Sequence, residues 1–211
     1  GRESDIYIVD LKGGVHALSV EGEVLWSLSE VASPWSSVVY SEKIGGIVAS
    51  RGRLIRVISR DGKILKKANL RSECLTMDSG ILVRQKLDIV AIGCEDYVEI
   101  LDENLRSIQK IRQKNHGRYR LIDLLDIDND SNAELVSGSW VGDAVTIYKF
   151  DETRQKFIML KKYRLNANPL FVSSHDIDGD KANELFIIDS DGKTTMIKNA
   201  KATVLDTVSS V

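Results

Sequence analysis

The sequence lacks the long apolar runs and the charge imbalance that mark membrane-spanning and nucleic-acid-binding chains. No stretch of about 18 apolar residues occurs among the 211 positions, so no membrane-spanning helix is expected. Lys and Arg total 29 against 31 Asp and Glu, a formal net charge of -2, which predicts no overall attraction to nucleic acid. Gly1 to Ile6 also lacks the basic and apolar regions of a signal peptide, and the localisation stays open.

Cysteine, proline and histidine are scarce, with two, two and three copies. Cys74 and Cys94 are too few for a disulfide framework, and we predict two free, buried thiols. No Gly-x-Ser-x-Gly motif and no phosphate-binding Gly-rich loop occurs, so no catalytic residue and no enzymatic activity is predicted. The scarcity of proline suits strands whose N–H groups must all donate to neighbouring strands.

Short runs of β-branched residues recur throughout the chain, separated by Gly, Asp, Asn and Ser turn signals, and helical periodicity is weak. This pattern is typical of an all-β protein. With 43% hydrophobic residues, the chain can form a sizeable core.

The strand pattern repeats with a period of roughly 40 residues, which predicts stacked or radial β repeats. Each repeat has room for four strands, except that the first lacks the leading strand. The predicted fold is a β-propeller of four-stranded blades, with residues 1–211 as a single domain or as part of a larger propeller. A β-sandwich is the alternative. The five predicted units cover approximately residues 5–32, 36–70, 73–112, 119–165 and 168–208.

Two acidic segments, Asp126 to Glu134 and Asp176 to Glu184, share one spacing. Carboxylates occupy positions one, three, five and nine in both, and each segment precedes the same strand of successive units. A divalent cation of the hard type requires six to eight oxygen ligands, which a tight loop with alternating acids can supply. The apolar residues at position two, Ile127 and Ile177, are expected to point into the blade.

Oxygen ligands without His or Cys favour calcium over zinc or copper, and several carboxylates in a flexible loop favour calcium over magnesium. Manganese is a second candidate. The alternative is that Asp, Asn and Gly here merely form solvated turns. Two copies in one register favour the metal-binding interpretation.

The motif Asp-x-Asp-x-Asp-x-x-x-Glu before an apolar strand resembles the calcium loop of FG-GAP, or integrin-α-like, propeller repeats of the VCBS type. The family usually has Gly at position six, where Ser131 and Lys181 stand here, so this resemblance predicts backbone strain and weakened calcium affinity. The hairpin from His16 to Trp26 resembles quinoprotein-type propeller repeats and supports the blade architecture. The ligands implied by the FG-GAP resemblance are Asp126, Asp128, Asp130, the Asn132 carbonyl and Glu134 in one loop, and Asp176, Asp178, Asp180, the Ala182 carbonyl and Glu184 in the other.

These observations predict a non-enzymatic, calcium-binding propeller that acts as a protein-interaction or adhesion scaffold, with structural calcium. Carbohydrate recognition by a lectin or adhesin is one alternative, and a propeller-enzyme fragment with an axial active site is another. Trp26, Trp35 and Trp140 are expected to pack between blades, but Trp140 lies in a turn that could reach a propeller face. The basic segment around His116 is a further candidate contact surface.

Overall fold

The computed structural model describes residues 6–33, 38–41, 43–112, 117–198 and 201–205. The regular structure of these residues is entirely β-strand, which confirms the all-β prediction. Among them, no helical segment has the length and hydropathy needed to cross a bilayer. The strands are β1 (Ile6–Val9), β2 (Val15–Leu18), β3 (Val24–Leu28), β4 (Val39–Ser41), β5 (Gly46–Arg51), β6 (Leu54–Ile58), β7 (Ile64–Asn69), β8 (Cys74–Leu82), β9 (Leu87–Cys94), β10 (Val98–Asp102), β11 (Ser107–Ile111), β12 (Tyr119–Leu125), β13 (Glu134–Ser139), β14 (Ala144–Asp151), β15 (Lys156–Arg164), β16 (Pro169–His175), β17 (Glu184–Asp189), β18 (Thr194–Lys198) and β19 (Lys201–Leu205).

The strands form five antiparallel meander sheets in chain order: sheet 1 (β1–β3), sheet 2 (β4–β7), sheet 3 (β8–β11), sheet 4 (β12–β15) and sheet 5 (β16–β19). Sheet 1 has three strands and the others four, as predicted. Tight turns join the strands, and Gly62, between β6 and β7, has a φ of 81°, a backbone conformation that glycine adopts without steric cost.

The first strands of sheets 2 to 5 contact one another in succession, β4 with β8, β8 with β12 and β12 with β16. Side chains join these inner strands directly. Ser79 Oγ donates to the Tyr40 carbonyl at 2.9 Å, and Asp78 accepts a hydrogen bond from the Leu124 N–H at 2.7 Å. The fold is therefore propeller-like, with the first strands of sheets 2 to 5 side by side in chain order.

The hydrophobic core is divided among the spaces between successive sheets, with one apolar cluster for each pair. Strands of the middle sheets are buried on both faces, so β9 and β13 are almost continuously buried. This explains the apolar run Ile89-Val90-Ala91-Ile92 in β9, whereas β1 of sheet 1 alternates between exposed and half-buried residues. Cys74 and Cys94 lie in the cluster between sheets 2 and 3 as free, buried thiols, which confirms that prediction.

Trp26 packs between sheets 1 and 2, where its Nε1 donates to the Arg60 carbonyl at 2.7 Å. The prediction of inter-blade packing is thus confirmed for Trp26 and wrong for Trp140, which is 49% exposed. Trp140 lies in the β13–β14 turn, which agrees with the expectation that this turn could reach a propeller face. Trp35 and His116 lie outside the described residues.

Two carboxylates occupy neighbouring inner strands, Asp78 on β8 and Asp123 on β12. Burial, with a smaller contribution from the charge of Asp78, raises the pKa of Asp123 to about 7. Burial also raises the pKa of Asp78, although the hydrogen bond from the Leu124 N–H opposes this shift. Asp123 therefore binds a proton near neutral pH more readily in the folded protein than in the unfolded chain.

We expect the free energy of unfolding to rise as the pH is lowered from about 8 to about 6, and Asp123→Asn to reduce this rise. The folded pKa of Asp123 lies above the unfolded value. The stabilising contribution of this group is therefore complete below the unfolded pKa and is lost as the pH rises through the folded pKa. Urea denaturation across this range measures the slope. Asp143→Asn, an exposed change, should keep the wild-type slope, and an unchanged slope in Asp123→Asn would contradict the assignment.

Candidate metal centres

The two acidic segments form the connections between the first and second strands of sheets 4 and 5. Loop 4 comprises residues 126–134 and joins β12 to β13, and loop 5 comprises residues 176–184 and joins β16 to β17. In each loop the position-nine glutamate is the first residue of the following strand. The two loops therefore occupy equivalent places in successive sheets.

The position-one aspartates fold each loop by accepting backbone hydrogen bonds. Asp126 accepts from the N–H groups of Asp130 and Ser131 at 3.1 and 3.0 Å. Asp176 accepts from Gly179 and Lys181 at 2.8 and 2.9 Å. This arrangement satisfies N–H groups that a tight turn would otherwise leave without protein partners.

The backbone at position six has the left-handed conformation that the sequence predicts. The φ of Ser131 is 67° and that of Lys181 is 73°. Such values cost a residue with a Cβ about 1 kcal/mol or more. Both loops thus carry the expected backbone strain at the position where the FG-GAP pattern usually has glycine.

Each loop brings three carboxylates together, so that one oxygen from each lies within 4.8 Å of the others. The groups are Asp126, Asp128 and Glu134 in loop 4, and Asp176, Asp178 and Glu184 in loop 5. The position-five carboxylates of Asp130 and Asp180 are not members of these groups. The proposed carbonyl ligands, Asn132 and Ala182, stay predictions.

The position-nine glutamates point inward and are almost completely buried, with 2% exposure each. One carboxylate oxygen of each accepts a backbone hydrogen bond, from Ile127 at 2.9 Å and from Ile177 at 3.0 Å. Among the described residues, the other oxygen, Oε1, is buried in both glutamates and has no neutral hydrogen-bond donor. A buried carboxylate oxygen without a donor requires a nearby cation.

A lysine ammonium group lies among the carboxylates of each loop. Lys149 Nζ, from β14, contacts Asp128 and lies 3.0 Å from Asp130 and 3.5 Å from Glu134. Lys198 Nζ, from β18, contacts Asp178 and lies 3.0 Å from Asp180 and 2.9 Å from Glu184. The ammonium groups thus reach Glu134 and Glu184 at Oε1, the oxygen that has no neutral donor.

The contacts between lysines and carboxylates shift the pKa values of ionisable groups in both loops. Burial and, to a lesser extent, the neighbouring charges of Asp128 and Asp130 raise the pKa of Glu134 to about 7, although the hydrogen bond from the Ile127 N–H and the charge of Lys149 oppose this shift. Burial disfavours the Lys149 ammonium, but the hydrogen bonds to Asp128 and Asp130 outweigh it and raise the pKa of Lys149. In loop 5 the hydrogen bonds to Asp178 and Glu184 raise the pKa of Lys198. Both lysines therefore remain cationic at neutral pH.

Sequence reasoning did not identify the two lysines as part of these sites. The signal is present, because a lysine ends the apolar run of the third strand in both units, as Ile147-Tyr148-Lys149 and Met196-Ile197-Lys198. Whether such a lysine lies beside the acidic loop depends on the register between the second and third strands. Leu135 pairs with Tyr148 and Leu185 with Ile197, so the next positions place each lysine beside the position-nine glutamate.

The loops also join successive sheets. Asn183 of loop 5 donates from its backbone N–H to the Ile127 carbonyl at 3.1 Å and from Nδ2 to the Asp126 carbonyl at 2.6 Å. Ala133, the equivalent residue of loop 4, donates its N–H to the Ile81 carbonyl of sheet 3 at 3.1 Å. Each acidic loop is therefore bonded to the sheet before it.

The position-two residues differ between the loops. Ile127 packs against the apolar cluster between sheets 4 and 5, as predicted. The same prediction is wrong for Ile177, which is 66% exposed. Loop 5 covers Ile127, and among the described residues no equivalent loop covers Ile177.

A cavity of about 370 Å³ lies where the inner strands of sheets 3, 4 and 5 begin. Trp140 and Leu170 line it, and the Arg120 guanidinium lies 4.3 Å from the Trp140 ring centroid. Cys74 also lines this cavity, and burial raises the pKa of its thiol to about 11. A protonated thiol is a poor nucleophile, whereas the exposed tryptophan and arginine are residue types common in protein interfaces.

No protein-family model and no curated protein matches this sequence. Among solved structures, a protein of unknown function from Bacteroides caccae aligns over 97% of this chain and 69% of its own, with 14% identity and a TM-score of 0.61. BBS1N, a β-propeller, aligns in crystals of its complex with ARL6DN. The mercury-soaked crystal aligns over 91% of this chain at 13% identity and a TM-score of 0.66, and the lead-soaked crystal over 92% at 11% and 0.67. This chain covers 60% and 62% of the BBS1N chains, and the likeness establishes a propeller-like fold alone.

We expect Asn183→Ala to lower the free energy of unfolding by about 1 kcal/mol, because it removes the hydrogen bond from Nδ2 to the Asp126 carbonyl. The change gives loop 5 the residue that loop 4 already has at this position, Ala133. Urea denaturation measures the loss. Asn104→Ala in the exposed β10–β11 turn is the matched control and should change stability by less than about 0.5 kcal/mol. Equal effects of the two changes would show that the inter-loop hydrogen bond does not stabilise the sheet pair.

Proposed function

We propose that this protein is a non-enzymatic β-propeller scaffold that binds a protein partner and is stiffened by calcium in loops 4 and 5. The observation that carries the proposal is the convergence of three carboxylates in both loops, each including a buried glutamate whose Oε1 has no neutral hydrogen-bond donor among the described residues. In this proposal the five sheets are blades and the two loops are of the FG-GAP type.

Calcium suits the donor set because all of the side-chain groups are oxygen donors. The aspartates at positions one, three and five, the carbonyl at position seven and the glutamate at position nine would hold the ion. The position-one and position-nine residues also bond to the loop backbone, so an ion held by them would fix the loop conformation. Because loop 5 is bonded to loop 4 and loop 4 to sheet 3, calcium would stiffen three successive sheets.

A protein partner is supported by two observations. BBS1N, which shares the propeller-like fold, forms a complex with a protein, ARL6DN. In this chain, Trp140 is 49% exposed, and Arg120 lies over its ring. An exposed aromatic side chain beside a guanidinium is a common centre of protein interfaces. We place the partner surface around these two residues.

We expect calcium to raise the melting temperature, because an ion that binds only the folded state must stabilise it. At a free concentration about 100 times Kd, one site adds about 2.7 kcal/mol, which corresponds to roughly 5 °C or more for a chain of this size. Thermal unfolding with calcium and with chelator measures the shift, and isothermal titration calorimetry measures the affinity.

The variant Asp128→Asn/Asp178→Asn should abolish this shift. It removes one charge from each site, while the backbone hydrogen bonds of Asp126 and Asp176 stay in place. Asp143→Asn, in an exposed turn outside the loops, is the control and should respond to calcium as the wild type does. A wild-type melting temperature that does not change at millimolar calcium would refute the calcium part of the proposal.

We expect Trp140→Ala to reduce capture of a protein partner at least tenfold, since truncating a central interface tryptophan typically costs 2 kcal/mol or more. Cross-linking and affinity capture from the source cells, followed by binding measurements with each purified candidate, provide the test. Met159→Ala, an exposed apolar change on the outer strand β15, should leave binding unchanged. Binding to a glycan array that Trp140→Ala abolishes, without any protein partner, would favour the lectin alternative.

A further inference from the structure

Lys149 and Lys198 occupy the same register position in sheets 4 and 5, and each places its ammonium group among the acids of one loop. We propose that these lysines are tethered cations that compete with calcium, so that each loop is held either by its own lysine or by a calcium ion. This inference rests on the proposed calcium function and deepens it, because it names what regulates the two sites.

The competition follows from the atoms that the lysines contact. Lys198 Nζ lies 2.9 Å from Glu184 Oε1 and 3.0 Å from an oxygen of Asp180, and it contacts Asp178. Lys149 makes the equivalent contacts with Glu134, Asp130 and Asp128. These six residues are side-chain ligands expected for calcium. An ammonium group at this point would repel a divalent ion and would occupy the oxygens that the ion needs.

The buried glutamates explain why a cation must be present. Glu134 and Glu184 are each 2% exposed, and among the described residues their Oε1 atoms have no neutral hydrogen-bond donor, so that the lysine ammonium is the group each of them faces. A buried carboxylate in this state is stabilised by a nearby positive charge and destabilised by its loss. The lysine therefore keeps the loop folded, and calcium can replace it only by taking over the same role.

The arrangement differs from an ordinary buried ion pair, which sheet 3 provides for comparison. Lys110 Nζ lies 3.1 Å from Oε1 of Glu99, which is 4% exposed. Lys110 pairs with that carboxylate and lies over the ring of Tyr97, and Glu99 belongs to no carboxylate group of the kind found in loops 4 and 5 among the described residues. Lys149 and Lys198, in contrast, each contact three carboxylates of an acidic loop.

The geometry also predicts that the two sites act separately. Among the residues that the structure describes, the ion pairs of Lys149 are with acids of loop 4 and those of Lys198 with acids of loop 5. A change at one lysine should therefore alter calcium binding at the loop that it contacts. Asn183 joins the two loops through the backbone carbonyls of Ile127 and Asp126, and these hydrogen bonds do not involve either lysine.

The test compares the wild type with Lys149→Met, Lys198→Met, the double variant and Lys110→Met. Methionine keeps much of the apolar stem of lysine but removes the charge. We expect each loop variant to bind calcium at least tenfold more tightly than the wild type at one site, as measured by isothermal titration calorimetry. In chelator, each should melt at a lower temperature than the wild type, and calcium should restore the loss.

Lys110→Met breaks a buried pair outside the loops, so it should lower the melting temperature without changing calcium affinity. The variants are purified in calcium and then dialysed against chelator. If a loop variant unfolds in chelator, refolding on addition of calcium supports the proposal, and failure to refold overturns it.

The outcomes separate this inference from the proposed function. If the wild type does not bind calcium but the loop variants do, the lysines compete as proposed and the calcium function of the natural protein fails. If the wild type and the loop variants bind calcium with equal affinity, the calcium function stands and the competition is overturned. If neither binds calcium, both are overturned.

Discussion

The packing of each sheet against its neighbours is the constraint on which the rest of the structure depends. The apolar clusters lie between successive sheets, so a single unit cannot bury its own core and must be repeated. This explains why the middle strands have continuous apolar runs. It also explains why the terminal sheets keep exposed apolar residues, such as Ile8 at 45% in sheet 1 and Phe171 at 53% in sheet 5.

The same constraint gives the loops between the first and second strands a common task, which is to bond to the preceding sheet. In loop 5 the Asn183 N–H donates to the Ile127 carbonyl, and in loop 4 the Ala133 N–H donates to the Ile81 carbonyl. These contacts use only backbone groups and need no carboxylate. In sheet 3 the corresponding connection, residues 83–86, is a short turn without acids. The acidic side chains of loops 4 and 5 therefore serve something beyond the linking of sheets.

The sequence predicted most of the fold and the acidic residues of each candidate site, but not the lysines that contact them. Strand alternation, turn residues and the repeat period are local signals, so the units and the missing first strand of unit one could be predicted. The resemblance to FG-GAP repeats predicted the positive φ of Ser131 and Lys181. Lys149 and Lys198 could not be assigned, because their proximity to the glutamates depends on cross-strand register. The exposure of Ile177 and Trp140 depends on which neighbouring element covers them, and no local pattern encodes that.

The burial of Glu134 and Glu184 decides how the two loops should be interpreted. Acidic residues in solvated turns need no partner, because water stabilises their charge, but a glutamate that is 2% exposed loses that hydration and requires a positive charge within contact distance. The fold could have avoided the need by placing an apolar residue at the start of the second strand, as sheet 3 does with Leu87. Two sheets instead retain a buried glutamate, three aspartates and a lysine in one arrangement.

A lysine alone could neutralise one buried glutamate, as Lys110 does for Glu99, so the surrounding aspartates are in excess for that task. Their excess negative charge is what a divalent cation requires, and it supports the proposed calcium function over a role in balancing one charge.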